Sequence, residues 1–356
     1  MMKNPFLSGI LLITISIQSC VTPIEFINPN NEGNIAIYGE ISQELGVKLI
    51  HITRTTGFKN GINFINGAKV ILLEDNIAIT NYIEQDSGVY QINSFAGRIG
   101  HSYSIRIDIG STIYQSSPEV LLAPIQPDSV RINLETEYNT NEYGVTLSNI
   151  VWAVYAGTPL LTNQDVYLRW SSEYAYSFTE AYACHPFDPV KTCYFTGITN
   201  PTYFGLFNKK ATDSQLRADN IRVSSRILNK SEMKEREYLG VTQYRLSKSA
   251  YSFWTKVNEI ITQNGSIFNT NPAIVSGNIH NLGNSSETVL GEFQVASVAK
   301  KFNFVTTGDA PDAFKNAGCE DFNPPSLFGI ICTYDAPCFD CLNLKNASLV
   351  KPDFWK

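Results

Sequence analysis

Charge is scarce in this chain. Asp, Glu, Lys and Arg make up 17% of its 356 residues, the formal net charge is −6, and no block of lysine or arginine occurs. A protein that grips nucleic acid through its phosphates needs a basic patch, so nucleic acid is not an expected partner. Histidine is scarcer still: His51, His101, His185 and His280 are the whole set. None stands at metal-ligand or triad spacing from a partner, which reads each as a strand or surface residue. No G-x-S-x-G, H-E-x-x-H or phosphate-binding glycine loop appears. Carboxylate pairs of the glycosidase kind leave no motif, because the fold sets their spacing. The chain is read as non-catalytic, with no metal and no cofactor. Long apolar runs are missing as well. The stretch from Pro5 to Ile17 falls short of the roughly 20 residues that cross a bilayer.

What is present begins with that short stretch. Lys3 precedes it, and Ile17-Gln18-Ser19-Cys20 follows it. A positive start, a short apolar segment and a small residue before a cut is the layout of a signal peptide. Cys20 at the cut resembles the lipobox of bacterial lipoproteins, in which the cysteine is lipidated and becomes the new N-terminus. Gln18 departs from the commonest pattern, and a plain signal peptide with a chance cysteine is the alternative. Residues 1–19 are thus read as signal peptide and 20–33 as anchor and short tether. The cysteine count agrees with this. Of seven cysteines, setting Cys20 aside leaves Cys184, Cys193, Cys319, Cys332, Cys338 and Cys341. An even number in an exported chain reads as a disulfide framework. Cys184 and Cys193 bracket a short loop, and their pairing would contribute roughly 2–3 kcal/mol. The other four allow three pairings. A zinc site or a redox CxxC at Cys338–Cys341 is disfavoured outside the cytoplasm.

The rest of the chain is 43% hydrophobic with 18 Tyr and 20 Phe, a composition suited to a globular protein of short strands. Alternation marks strands at 34–41, 47–54, 68–74, 88–93 and 103–109, with glycine turns between them. The fragments Gly67-Ala68-Lys69-Val70, Ser87-Gly88-Val89-Tyr90 and Gly100-His101-Ser102-Tyr103 resemble those of Ig-like sandwiches of the transthyretin or carboxypeptidase-regulatory kind. This predicts a first β-sandwich domain over 34–126, ending near the prolines at 118, 124 and 127. A second β-rich domain is predicted over 127–356, with strands at 129–137, 145–155, 165–170, 220–227, 237–246, 289–299 and 301–305. It has one helix. Ser247 can cap it, and Ala250, Phe253, Trp254, Val257 and Ile261 fall on one helical face that should dock on a sheet of that domain.

Candidate ligand contacts are aromatic. Trp152, Tyr155, Trp170, Tyr174, Tyr176 and Tyr182 cluster in one region. Such rings stack on sugars or peptide side chains, and they also build the core of a tyrosine-rich sandwich, which is the preferred reading here. Trp152, Trp170, Tyr174 and His280, the last in the Gly277–Leu282 loop, are retained as ligand-binding candidates. Asp128-Ser129-Val130 resembles an acidic–hydroxyl–apolar acceptor for O-glycosylation; a turn entering a strand explains it equally.

Several pieces, in order, resemble one family. They are Cys20-Val21-Thr22-Pro23, Tyr114–Glu119 leading to Pro127-Asp128-Ser129, Tyr244–Trp254, Gly277–Asn281 followed by Val289–Phe293, and Cys338-Phe339-Asp340-Cys341 with Lys351-Pro352-Asp353-Phe354-Trp355. The family is a Bacteroidota outer-membrane lipoprotein family of unknown function, numbered 4249. Its members are typically encoded beside TonB-dependent receptors. The resemblance implies a lipid-anchored accessory protein of the outer membrane that assists such a receptor in substrate capture or uptake; the cell surface is favoured over the periplasmic face, and the sequence leaves that choice open. A structural or adhesion lipoprotein and a hydrolase of surface polymers are the alternatives.

Overall fold

The computed structural model describes residues 33–55, 63–140, 143–180, 189–199, 203–228, 236–263, 275–312 and 340–355. The chain is mainly β, as its alternating pattern predicts, with four sheets and one α-helix among the described residues. Strands β1 (Ile35–Ile41), β2 (Gly46–Arg54), β3 (Asn63–Phe64), β4 (Lys69–Glu74), β5 (Ile77–Asn81), β6 (Ile83–Glu84), β7 (Val89–Phe95), β8 (Ser102–Ile109), β9 (Thr112–Ser116) and β10 (Glu119–Val120) form most of a first sandwich. Then come β11 (Ser129–Thr140), β12 (Thr146–Pro159), β13 (Val166–Thr179), β14 (Thr192–Ile198), β15 (Gly205–Lys209), β16 (Arg217–Ile227), β17 (Arg236–Arg245) and α1 (Lys248–Gln263). The series closes with β18 (Ile279–Asn281), β19 (Leu290–Val295) and β20 (Ser297–Thr306).

The first sandwich has the sheets β19-β1-β2-β7-β6 and β18-β9-β8-β4-β5, with β3 and β10 pairing beside β2 and β8. Alternation produces it directly: Ile35, Ile37 and Ile41 of one sheet meet Val70, Leu72, Tyr103, Ile105 and Ile107 of the other in a single core. Two of its edge strands come from far along the chain. Residues 279–281 and 290–295, which the sequence reading assigned to the second domain, pair with β9 and β1. The β1–β19 pair is parallel, and Ile279, Val289, Phe293 and Val295 fill the first core. Gly291 makes this approach feasible. Its φ is +91°, and a Cβ there would lie 2.0 Å from the Ile37 carbonyl oxygen.

The second sandwich stacks β11-β12-β16 on β14-β13-β17-β20, with β15 beside β13. Trp152, Val154, Leu168, Trp170, Val223, Leu239 and Val241 form its core. Trp170 donates its indole N–H to Gln243 at 2.7 Å. The tail docks on this sheet. Trp355 packs edge-on against Tyr194 and Phe304, and Phe354 stacks on Tyr238 at 4.1 Å.

The predicted Cys184–Cys193 bond is not the one formed. Cys193 bonds Cys341, 148 residues away. Both are fully buried beside Phe178 and Phe195, so the bond fastens the tail to β14 rather than closing a local loop. The hairpin itself is present, as β13 and β14 pair antiparallel. Cys20, Cys184, Cys319, Cys332 and Cys338 lie outside the described residues.

Helix α1 starts as predicted. The Ser247 hydroxyl accepts from the Ala250 N–H at 3.1 Å, which satisfies one of the donors that a helix start leaves open. It docks on the second sandwich as expected, with Tyr251 against Tyr167 of β13, and it also reaches the first. Trp254 donates to Gln294 of β19 at 2.6 Å and meets Tyr38 of β1 edge-on, while its other contacts are Arg169 of β13 and Phe204. The helix therefore wedges between the two sandwiches.

A candidate binding cleft

β13 is 14 residues long, more than its core needs. Period-2 alternation carries Leu168, Trp170, Tyr174 and Tyr176 along one face. Leu168 and Trp170 are buried in the core; Tyr174 and Tyr176 continue past it. Arg226 of β16 caps the half-buried Tyr174 ring, its guanidinium 3.4 Å from the centroid. The opposite residue on β14 is Gly197, where a Cβ would lie 2.6 Å from the ring. Tyr174 is thereby locked between a glycine and an arginine.

Around this pair opens a cleft of about 780 Å³, within the range of sites for drug-sized ligands. Tyr138, Tyr203, Arg222, Ser225 and Ile198 line it with Tyr174 and Arg226. One lip is the β11–β12 hairpin, which runs beyond β16 and carries Glu137, Tyr138 and Asn139. Tyr138 is 72% exposed and Tyr203 37%. The cations are tied in place. Arg222 bonds Glu135 at 3.2 Å and Glu137 at 2.7 Å, Tyr155 donates to Glu135 at 2.7 Å, and Arg226 pairs with the buried Glu237. The Glu135 carboxylate, by accepting that bond, raises the Tyr155 phenol above its ordinary range.

Two other clefts are smaller. One of about 350 Å³ lies between the sandwiches, lined by Glu40, Glu44, Lys48, Tyr244 and Lys300 among others. Lys48 donates to Ser42 and to the Glu44 carbonyl at 2.8 Å each, and Lys300 pairs with Glu44 at 3.1 Å. Beneath it the Arg169 guanidinium sits 4.1 Å from the Tyr244 ring and 4.0 Å from Trp254. Burial pushes the Glu40 carboxyl up, with Arg169 partly opposing it. Lys48, Glu44 and Lys300 engage one another and Arg169 is held between two rings, with its Nε–H left without an acceptor, in a place that joins the sandwiches. The third cleft, about 420 Å³, is lined by Ile132, Leu134, Trp152, Asn303 and Phe304 among others.

The structure sorts the sequence candidates. Trp152 and Trp170 are core residues, although the edge of Trp152 reaches the third cleft, and only Tyr174 lines the large one. His280 is exposed on β18, opposite Gln115. Ser129 begins β11 half-buried beside Asp128, whose carboxylate takes two bonds from Arg217. Sequence spacing missed His101, which the fold places 2.7 Å from Asp75 and 3.5 Å from Glu74. These three offer ligand atoms within 4.8 Å of one another. Glu74 already accepts from Arg98 and Tyr103 at 2.8 Å each, so a guanidinium fills the cation's role there. Arg222, Tyr138 and Tyr203 were also missed, since residues 19–84 apart in sequence meet only in the fold.

A separate pair of carboxylates is buried at the start of α1. Glu292 is 0% exposed and Glu119 7%. Glu292 accepts from the Asn278 N–H at 2.8 Å and Glu119 from the Ser247 hydroxyl at 2.8 Å. Each keeps one buried oxygen, Glu292 Oε1 and Glu119 Oε2, without a hydrogen-bond donor. Burial, then the Glu119 charge, pushes Glu292 up to about 8. Neither carboxylate lines any of the three clefts.

No curated protein matches the chain. Residues 21–302 match a family described as a domain of unknown function, DUF4249. The chain belongs to that family.

Proposed function

We propose that this is a lipid-anchored accessory protein of the outer membrane that binds a substrate, without reacting with it, on behalf of a TonB-dependent β-barrel receptor. The observation that carries the reading is the large cleft on the second sandwich, with its tyrosines on open walls and its arginines fixed by carboxylates. Rigid polar groups beside exposed rings suit reversible capture. The Lys3–Cys20 leader pattern supports the anchor, and the receptor follows from the company that the family resemblance implies. The hydrolase alternative calls for paired acids open to substrate. The buried acid pair, Glu119 and Glu292, sits instead in the junction at the start of α1.

The anchor is tested by fractionation. Wild-type chain should sediment with outer membranes and be shaved from intact cells by protease. Cys20→Ala should appear in the soluble fraction. A Cys20→Ala chain that stays membrane-bound to the same extent contradicts the anchor, and protection from protease on intact cells contradicts the surface placement.

A further inference from the structure

We infer that the ligand class of the large cleft is a neutral oligosaccharide. The inference deepens the capture reading and rests on it. Charge decides first. Two guanidiniums, Arg222 and Arg226, face three carboxylates, Glu135, Glu137 and Glu237, and each guanidinium is already paired. A phosphate, sulfate or carboxylate ligand would have to break those pairs and leave buried acid behind; Glu237 is only 2% exposed. A cationic ligand would meet two fixed arginines and find all three carboxylates already engaged, Glu135 and Glu137 by Arg222 and Glu237 by Arg226. A neutral polyol breaks nothing. It finds donors on Arg222, Asn139 and Ser225 and acceptors on Glu137 and Asn139, all lining the cleft.

Shape decides next. Tyr138 and Tyr203 present ring surface to the cleft, while Tyr174 is covered by Arg226 and serves as its support. Tyrosine offers a flat apolar face with a polar tip, which suits the C–H face and hydroxyl rim of a sugar ring. Ile198 and Ile227, 71% and 56% exposed, add apolar surface at the mouth. At about 780 Å³ the cleft is large enough for a chain of a few rings. A purely apolar ligand is disfavoured, since it would desolvate Arg222, Glu137 and Asn139 with nothing in return.

The test is binding by the purified full-length chain to immobilised glycans. The neutral probes are glucan, xylan and mannan oligosaccharides; the acidic ones are oligogalacturonate and heparin fragments. Binding to at least one neutral probe is expected, with Tyr138→Ala and Tyr203→Ala each weakening it by about tenfold. Both side chains are open to solvent, so unchanged melting curves should accompany the loss. Binding to no glycan, binding confined to the acidic probes, or neutral binding unaffected by both substitutions overturns the inference. Receptor association is read by a separate pull-down, so the loss of this ligand class leaves the accessory role standing on its own test.

Discussion

Glu292 combines full burial with one oxygen that no donor reaches. Its carboxyl titrates near 8 in the fold against an ordinary 4.5. The fold therefore binds a proton here that the unfolded chain has lost above its own, lower pKa. That stability is fully present below pH 4.5 and is lost as pH rises through about 8. The melting temperature should fall from pH 5 to pH 8 by on the order of several degrees. Glu292→Gln, which keeps the acceptor for the Asn278 N–H and cannot ionise, should flatten that slope in calorimetric melts at the two pH values. A slope equal to the wild type's would mean that another group carries it. None of this was legible in the sequence. Glu119 and Glu292 are 173 positions apart; Glu292 reads there as an ordinary strand residue and Glu119 as part of the segment leading to the proline-marked domain boundary. Tyr174 was legible in part, because an aromatic cluster is visible in sequence, but rings bound for the core and rings bound for a cleft look alike until the strand outruns its partner sheet. The Cys193–Cys341 bond was illegible for a similar reason. Spacing favours the near cysteine, and only the docking of the tail on β14 brings Cys341 to Cys193.

At the scale of elements, helix α1 shows how one hydroxyl serves two structures. Ser247 caps the helix and also donates to Glu119 of β10, the last strand before the first linker. Ser247→Ala should cost about 1 kcal/mol through the cap and a further 1–3 kcal/mol through the stranded buried oxygen. Chemical denaturation measures the sum, and Ser247→Thr should restore most of it. A cost below about 0.5 kcal/mol would show that the cap and the Glu119 bond are both idle. The helix and its cap were readable from periodicity, as were most long strands, because a half-buried strand writes its alternation into the chain. Short strands such as β3, β6 and β10 write almost nothing. The pairing of β19 with β1 across 254 residues writes nothing local either. The one hint is the glycine at 291, held at positive φ by the close approach to Ile37.

For the whole molecule, the chain passes between the sandwiches three times. It leaves the first through residues 121–128, where Leu121 belongs to one core and Ile125 to the other. It returns through α1 to β18 and β19, then leaves again at Ala296, whose N–H bonds the Ile41 carbonyl at 3.0 Å. Arg169, Tyr38, Glu40 and Trp254 pack the junction, so the sandwiches are braced against each other. A chain ending at residue 274 would leave β1 and β9 as open edges and remove Phe293 and Val295 from the first core. Such a chain should give no cooperative first-sandwich transition in thermal melts and should aggregate; a soluble fragment with native-like melting would contradict the bracing. A braced pair of sandwiches holds the large cleft in a fixed position relative to the first sandwich, which suits the proposed role of presenting a ligand to a neighbouring receptor. That neighbour can be sought by pull-down of the tagged, lipidated full-length chain from detergent-solubilised outer membranes. The account predicts a TonB-dependent β-barrel receptor recovered in comparable amount; recovery of the chain with no barrel protein would contradict it.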